Sequence, residues 1–336
     1  MKNSLKYLFL LLSIGFFACK KDNTNAINPP APVAPANRVT SAEFIDKLLF
    51  VNKNDFKIST NKPAQFSSIS PLIKISADGM ISRITSGEVV PIEITWTEQP
   101  ESKTTIYALG ATDTNHDAPY ASYHGVVASD PYNSYVQGWK TLNTLSVATE
   151  TFALIMRHGD ADNGRDFSAA NPGVTGPSEW WKSCDPRLAR QLNERGKTRS
   201  VEMGKILKDL KYPISRVISS EFCRSVATAQ LINAGPEIKT DGRINHVAYN
   251  LYKKGSLNGM VEVLTEQPID NKMTLMVLHH PTNETGSAGF PSFPGTSPFT
   301  WGGFIIVKVS PEKVVSYQGA VSHGMMEYHR NLKLNK

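Results

Sequence analysis

Arginine and histidine side chains follow three short apolar runs of this sequence. The runs and the residues after them are 152–156 (FALIM) before Arg157 and His158, 217–220 (VISS) before Arg224, and 275–278 (LMVL) before His279. An arginine offers a planar, permanently charged fork that matches the oxygens of a phosphate group, and a neutral imidazole can act as a nucleophile. These residue types together predict a site that binds an oxyanion and attacks it with a histidine.

Each of these runs is predicted to be a strand of an α/β fold with a mostly parallel sheet. The continuous apolar run 152–156 is typical of a buried parallel strand, and 304–309 has the same character. Helical periodicity covers 188–210, and 225–232 is a second predicted helix. Because the carboxyl ends of parallel strands meet at one edge of a sheet, the side chains that follow them are expected to converge there.

Four ordered motifs resemble those of the histidine phosphatase superfamily, also called the phosphoglycerate-mutase-like superfamily. They are RHG at 157–159, QLNERG at 191–196 with its extension to Gly204, SSEFCR at 219–224 with its extension to Ala229, and VLHHP at 277–281. The resemblance runs from about residue 151 to residue 316, and we place this domain at 151–330. It implies a three-layer α/β sandwich, a phosphohistidine mechanism and no cofactor.

The resemblance also implies a role for each of these side chains. His158 is expected to be the nucleophile, and Arg157, Arg224 and His279 are expected to clamp the phosphoryl group, with a protonated His279 donating to an equatorial oxygen. A phosphate monoester is a dianion, so its hydrolysis depends largely on charge neutralisation and in-line positioning. Gly159 is expected where the backbone must approach closely. The expected reaction is hydrolysis of a small phosphomonoester.

The acid that protonates the leaving group is not fixed by the sequence. Relatives often have a glutamate in the segment that corresponds to 243–246, which reads RINH here, and others have an acid at the position of His280. Both positions lack a carboxylate in this chain. The remaining candidates, in order, are Glu284, Glu221 and His246.

Three further features are expected around the pocket. Arg190, which opens the segment RQLNERG, lines the pocket mouth in one interpretation and is a solvated helix-entry arginine in the other. Glu221 is also a candidate substrate-binding residue. The Gly-, Pro- and Ser-rich loop 282–300 directly follows the strand that carries His279, and we predict that it forms a rim that covers substrate.

The N-terminal segment 1–18 is predicted to be a secretory signal. Lys2 and Lys6 precede an apolar run at 7–18 that is too short to span a bilayer, which needs about 20 apolar residues. A small residue before Cys19 resembles a bacterial lipoprotein signal, which implies that Cys19 is lipidated and anchors the chain to the membrane of the cell envelope. The alternative is a plain cleaved signal with an incidental cysteine. Residues 19–38 are predicted to be a flexible tether.

Short strand-like segments separated by turn signals follow the tether. Residues 39–112 resemble the bacterial Ig-like group 2 repeat, which implies a small non-catalytic β-sandwich used as a spacer or a surface-binding module. Residues 113–150 have no clear pattern and are interpreted as a linker that packs on one or both domains.

Cys184 and Cys223 are the cysteines that remain after Cys19. Two cysteines in an exported chain could form a disulfide. Cys223 lies in an apolar helical context, so the sequence favours a small buried side chain over a disulfide. The cysteine spacing predicts neither a zinc site nor a redox motif.

The chain of 336 residues is long enough for two domains, and its 40% apolar content excludes a disordered protein. A net charge of +6, or +4 without Lys2 and Lys6, indicates a weak preference for anions and excludes a nucleic-acid-binding surface. Two alternatives to a phosphatase stay open at this point. One is a phosphomutase of the same fold, and the other is a non-catalytic surface-binding lipoprotein.

Overall fold

Two patterns of strand burial divide the described part of the chain. The computed structural model describes residues 36–112, 131–145, 150–167, 176–245, 255–279 and 299–335. Burial alternates along Val89–Trp96, whereas every residue of Thr151–Arg157 and Met273–Leu278 is buried. Alternation is typical of a sheet with one solvated face, and continuous burial is typical of a sheet covered on both faces.

The first part of the chain forms two sheets from segments rich in β-branched and aromatic residues. Its strands are β1 (Phe44–Ile45), β2 (Leu48–Val51), β3 (Phe56–Lys57), β4 (Ala64–Ser67), β5 (Ile73–Ile75), β6 (Met80–Ile84), β7 (Val89–Trp96) and β8 (Gln99–Gly110). Their orders are β1-β2-β8-β7-β4 and β3-β6-β5. Buried side chains of both sheets, such as Phe66 and Ile81, share one core. The Ig-like character of residues 39–112 stays a prediction.

The second part of the chain builds a six-stranded sheet. Its strands are β9 (Thr151–Arg157), β10 (Ile214–Ser219), β11 (Ile238–Thr240), β12 (Met273–Leu278), β13 (Phe304–Val309) and β14 (Val315–Val321). The order is β11-β10-β12-β9-β13-β14, and the first four strands are parallel. β13 is antiparallel to both of its neighbours. A mixed α/β fold with a mostly parallel sheet is therefore confirmed.

Helices cover both faces of this sheet. They are α1 (Pro131–Thr144), α2 (Glu194–Asp209), α3 (Cys223–Ile232), α4 (Gly255–Glu266) and α5 (His323–Leu334). Leu154 of β9 packs in the core that contains α1, α2, α3 and α5, and its neighbour Ile155 packs in the core that contains α4. The sheet thus lies between two helical layers. Within the described residues, none of the helices is long and apolar enough to span a membrane.

Helix α1 lies inside the segment that the sequence pattern left as a linker. It buries Tyr135, Trp139 and Leu142 at helical spacing, and Gly138 comes so close to β14 that a Cβ atom there would lie 2.0 Å from the Ala320 carbonyl oxygen. Residues 131–144 are therefore an element of the core, which corrects their interpretation as a linker. The rest of 113–150, apart from 145 and 150, lies outside the described residues.

The two parts of the chain share apolar packing. Leu48 and Phe50 of β2 lie in the same buried core as Trp139 of α1 and Phe304 of β13. The Tyr328 hydroxyl on α5 donates a hydrogen bond of 3.0 Å to the carbonyl of Lys47. Residues 37–336 accordingly form one compact unit.

A disulfide joins Cys184 to Cys223, with 5.3 Å between the two Cα atoms. The sequence-based preference for an unpaired Cys223 was therefore wrong. Cys223 is the first residue of α3, and its apolar context reflects the packing of that helix and not the absence of a partner. The bond fixes the 3₁₀ turn Trp180–Lys182, which lies just before Cys184, beside the start of α3.

Candidate active site

The carboxyl ends of β9, β12 and β10 bring the predicted catalytic residues together. Arg157 is the last residue of β9 and pairs in register with Leu278, the last residue of β12. The backbone N–H of His158 donates to the Leu278 carbonyl at 2.9 Å, which places His158 level with His279. The two imidazole ring centres lie 4.9 Å apart.

Hydrogen bonds fix the tautomer of His158. Its Nδ1 lies 2.7 Å from the Gly159 carbonyl oxygen, which can only accept, so Nδ1 carries the proton. Its Nε2 lies 3.2 Å from Nε of Arg224, which can only donate, so Nε2 presents its lone pair. The side chain is buried. This is the state that a nucleophilic histidine requires, with the lone pair at Nε2.

Burial keeps His158 neutral. It lowers the pKa of His158 well below its usual value, and the positive charges of Arg224 and Arg157 lower this pKa further. The hydrogen bond to Gly159 acts in the opposite direction but is outweighed. The imidazole is therefore available as a nucleophile over the neutral pH range.

Arg224 uses every one of its five N–H donors inside the site. It is the second residue of α3 and is 1% exposed. Its partners are His158 Nε2 at 3.2 Å, Asp166 Oδ1 at 2.8 Å, Asp166 Oδ2 at 3.1 Å, the Arg190 carbonyl at 3.3 Å and His279 Nδ1 at 3.3 Å. Burial lowers the pKa of Arg224 to about 10, and the charge of Asp166 opposes that shift. The guanidinium is thus charged and held by side chains that converge on it.

Asp166 is a site residue that the motifs did not identify. Its carboxylate receives both terminal nitrogens of Arg224 and the backbone N–H of Arg190, the latter at 3.0 Å. Burial alone would raise the pKa of Asp166, but the charge of Arg224 and the bond from Arg190 outweigh it, so this pKa is lowered. Asp166 is distant from Arg224 in the sequence, and no apolar run or glycine motif marks it.

His279 contacts Arg224 through one ring nitrogen and two serine hydroxyls through the other. Because Arg224 donates to its Nδ1, that nitrogen accepts and Nε2 carries the proton. Nε2 lies 3.0 Å from the Ser220 hydroxyl and 3.3 Å from the Ser225 hydroxyl. The protonated His279 that the resemblance implies stays a prediction.

Arg157, the last residue of β9, is buried as well. Its Nη1 donates to the Phe299 carbonyl at 2.9 Å, and its guanidinium lies 5.3 Å from the centre of the Trp301 ring. Burial and the charge of Arg190 lower the pKa of Arg157 to about 9, so it keeps its charge at neutral pH. The charge of Arg190 also acts on Arg157, His158 and Arg224, and its place at the pocket mouth stays a prediction.

Glu221 is held beside the site by three neighbours. Its Oε2 accepts from Trp181 at 3.1 Å and from Asn245 at 2.8 Å, and its Oε1 lies 3.2 Å from Lys182. Burial alone would raise the pKa of Glu221, but these partners outweigh it and the pKa is lowered. None of these three partners belongs to the predicted phosphate clamp, so a bound phosphoryl group would leave Glu221 ionised. Glu221 instead connects the 3₁₀ turn to the strand end.

Gly159, the glycine after His158, allows two backbones to approach each other. A Cβ atom on Gly159 would lie 2.8 Å from the Gly196 carbonyl oxygen, and one on Gly196 would lie 2.2 Å from the Asp160 carbonyl oxygen. Gly159 N–H donates to the Thr228 hydroxyl at 3.0 Å, and Thr228 donates to the Arg224 carbonyl at 2.8 Å. This packing fixes the RHG segment against α2 and α3.

Several predicted features lie outside the described residues. They are Cys19, His246, Glu284, the signal segment 1–18, and most of the tether and of the loop 282–300. Their predicted roles stay predictions. Within the residues that are described, no three His, Cys, Asp or Glu side chains cluster as metal ligands.

No family model matches this chain, and no curated protein matches it in sequence. About half of the chain is similar to structures of the histidine phosphatase superfamily. The protein histidine phosphatase SixA complexed with tungstate is 20% identical, with a TM-score of 0.36, over 51% of this chain and 97% of that one. A phosphoserine phosphatase from Entamoeba histolytica is 13% identical, with a TM-score of 0.34, over 52% and 98%.

A third similar structure is a putative α-ribazole-5'-P phosphatase from Escherichia coli, which is 13% identical with a TM-score of 0.33 over 53% of this chain and 98% of that one. At these identities and TM-scores the likenesses carry no information about substrate. We therefore argue the function from the side chains of the site.

Proposed function

We propose that this chain is a phosphohydrolase that removes phosphate from a small phosphomonoester through a phosphohistidine on His158. The observation that supports it most is the state of His158, whose proton is held on Nδ1 by Gly159 and whose Nε2 lone pair points into a buried cluster of cations. A neutral nucleophile beside positive charge suits attack on a dianionic phosphoryl group.

The charges around His158 favour a bound phosphoryl group. Arg157 and Arg224 are both buried, and a phosphate dianion would restore to them the solvation that burial removes. The His158 lone pair forms a bond to phosphorus while the bond to the leaving oxygen breaks. The negative charge that spreads over the equatorial oxygens is then balanced by the guanidinium groups. Water attacks the phosphohistidine, inorganic phosphate leaves and His158 regains its lone pair.

His279 has a supporting part in this proposal. Its Nε2–H is fixed by Ser220 and Ser225, so the ring cannot rotate freely. Once Arg224 turns to the phosphoryl group, Nδ1 of His279 gains room for a proton and can donate to an equatorial oxygen. The protonated form that the resemblance implies therefore belongs to the complex with substrate.

The test is phosphate release by the chain that begins at Cys19. The panel contains p-nitrophenyl phosphate and sugar, inositol and nucleotide phosphates, and the comparison is with His158→Ala. We expect turnover in the parent chain and none above the uncatalysed rate in His158→Ala. Equal, negligible rates in both proteins would refute the proposal.

Two other outcomes would favour the alternatives. Transfer of phosphate between hydroxyl groups without release would favour a phosphomutase. Binding of glycans or cell wall, together with no turnover of any phosphate, would favour a surface-binding lipoprotein whose second part has no catalytic role.

Export and a lipid anchor on Cys19 complete the proposal. The disulfide between Cys184 and Cys223 supports it, since structural disulfides form and persist in oxidising compartments. Cys19→Ser is expected to release the protein from the membrane fraction of a bacterial host. Unchanged membrane association would refute the anchor and leave the catalytic proposal intact.

A further inference from the structure

We propose that Asp166 is the proton donor to the leaving group, the residue that the sequence motifs do not supply. This inference rests on the proposed phosphohydrolase activity and extends it. Asp166 contacts the clamp directly, because its two oxygens lie on the two terminal nitrogens of Arg224, whose third nitrogen contacts the nucleophile. Arg224 is therefore the single side chain between the Asp166 carboxylate and Nε2 of His158, the atom proposed to attack phosphorus.

The saturation of Arg224 makes an exchange of partners necessary. An arginine has five N–H donors, and all five are used by His158, Asp166, His279 and the Arg190 carbonyl. A phosphoryl group can bind this guanidinium only by replacing one of these partners. The carboxylate of Asp166 holds two of the donors in a fork geometry that two phosphoryl oxygens match. Substrate is therefore expected to displace Asp166 and also to uncover the Nε2 lone pair of His158.

The displaced carboxylate then gains a proton. Its side chain is only 9% exposed, and burial already acts to raise the pKa of Asp166. Arg224 and Arg190 are the charged groups that oppose this effect. When Arg224 turns to the phosphoryl group, the carboxylate loses its closest cation and faces a dianion instead. Both changes raise its pKa, so the complex holds a neutral carboxylic acid beside the reacting group.

The resulting steps balance. Nε2 of His158 forms a bond to phosphorus, the bond from phosphorus to the leaving oxygen breaks, and the Asp166 proton moves to that oxygen to give an alcohol. In the second step Asp166 accepts a proton from the attacking water. The water oxygen bonds to phosphorus, the bond between phosphorus and Nε2 breaks, and the electron pair returns to His158.

Other carboxylates near the site are less suited to this role. Glu221 is bound by Trp181, Asn245 and Lys182, none of which a phosphoryl group on Arg224 would displace. Burial raises the pKa of Asp160, but its Oδ1 lies 3.6 Å from Arg195 of α2 and not at the Arg224 guanidinium. Among the carboxylates that the structure describes here, Asp166 is the one whose hydrogen bonds to Arg224 must break when phosphate binds.

The experiment compares Asp166→Asn with Asp270→Asn as a matched control. Asp270 also receives a bidentate arginine, since Arg216 donates to its two oxygens at 2.7 and 3.0 Å, but this pair lies outside the site. Each protein is assayed with glycerol 2-phosphate, whose alkoxide needs a proton to leave, and with p-nitrophenyl phosphate, whose phenolate does not.

We expect Asp166→Asn to lower the single-turnover rate of alcohol release from glycerol 2-phosphate by about 10²- to 10³-fold, in the range of general acid catalysis. The first-turnover release of p-nitrophenol should stay fast, because that leaving group needs no proton, and only the later hydrolysis of the phosphohistidine should slow. The basic limb of the kcat profile against pH should disappear with the carboxyl group. Asp270→Asn should match the parent chain on both substrates. Equal losses in the first-turnover rate on both substrates would overturn the assignment and leave Asp166 as a positioning residue in a working phosphatase.

A measurement on the parent chain keeps the inference testable if Asp166→Asn does not fold. A series of phosphate monoesters with leaving groups of increasing basicity should react at nearly constant kcat/KM, which reports the first step, because the acid removes the penalty of a basic leaving group; the kcat values report the second step as well. A steep fall of kcat/KM along the series would overturn the inference. Absence of turnover on every substrate would instead refute the underlying phosphohydrolase proposal.

Discussion

Glu88→Gln is expected to destabilise the protein measurably, because Glu88 joins its two parts. Glu88 directly precedes β7, and its Oε1 accepts from Arg195 at 3.0 Å and from Arg199 at 2.5 Å, both on α2. The same helix carries Gly196, which packs against the backbone of Asp160, two residues after His158. The substitution removes the charge and keeps the shape of the side chain.

The size of the effect follows from the exposure of the three side chains. Hydrogen bonds to charged groups contribute about 1.5–3 kcal/mol each when they are shielded from water. The Glu88 side chain is 14% exposed, but Arg199 is 21% and Arg195 is 39% exposed, so solvent weakens both bonds. The glutamine oxygen can still accept one of them. The expected loss in the free energy of unfolding is therefore about 1 kcal/mol, below the range for fully shielded bonds.

Urea unfolding measures this loss, with Glu93→Gln as the matched control. Glu93 lies on β7 and pairs with Lys103 at 2.9 Å, but their side chains are 42% and 59% exposed, so we expect a change below about 0.5 kcal/mol. Glu88→Gln should lower the midpoint without changing the m value. A Glu88→Gln protein as stable as Glu93→Gln would refute a coupling of the two parts through Glu88.

Three further predictions concern the clamp, the disulfide and the response to pH. Arg224→Lys should lower kcat/KM by about 10²–10³-fold in steady-state assays, because lysine cannot bind two phosphoryl oxygens at once as a guanidinium does. The control Arg216→Lys should leave kcat/KM unchanged. Equal losses in the two variants would contradict this role of Arg224. Replacing both Cys184 and Cys223 with serine should reduce the free energy of unfolding by about 3–4 kcal/mol, given a sequence separation of 39, and a loss below about 1 kcal/mol in denaturant titrations would contradict it. Burial lowers the pKa of His323 from 6.5 to about 4, so between these values the unfolded chain binds a proton that the folded chain does not. The free energy of unfolding should therefore fall by up to about 3 kcal/mol from this group as the pH drops from 6.5 to 4. His323→Asn should show a smaller fall when unfolding is measured at each pH. The same dependence of the free energy of unfolding on pH in both proteins would contradict this.

The strands and the residues at their ends could be predicted from local sequence. A continuous apolar run such as 152–156 specifies a strand buried on both faces, and the rule that parallel strands end at one edge then brings His158 and His279 together. The helix α2 was predicted with a start near 188 but begins at Glu194, where the Asn193 side chain accepts the Gly196 N–H as a cap. Capping decided the boundary that periodicity alone could not.

Asp166 could not be predicted, because its role depends on a contact between distant residues. The carboxylate lies in an irregular segment, and its meaning comes only from Arg224, 58 positions further along the chain. Glu88 is a similar case, since its partner Arg195 is 107 positions away. Isolated carboxylates carry no local signal that distinguishes a solvated side chain from one that is held by buried cations.

Helix α1 was missed for a different reason. Its sequence contains Asn, Gly, Thr and aromatic residues, which are weak helix formers. Trp139 and Tyr135 nevertheless have helical spacing, and their burial against β2 and β14 overrides the weak propensity. The helical spacing of Tyr135, Trp139 and Leu142 could have indicated this helix.

The most direct test of the mechanism is the identification of the phosphorylated residue during turnover. The parent chain is mixed with substrate, quenched in alkali after one turnover, digested and analysed by mass spectrometry. We expect a phosphoryl group on the peptide that contains His158, stable in alkali and lost in acid. The corresponding peptide of His158→Ala should carry no phosphoryl group. A phosphoryl group on any other residue, or sustained turnover by His158→Ala, would contradict a phosphohistidine mechanism at His158.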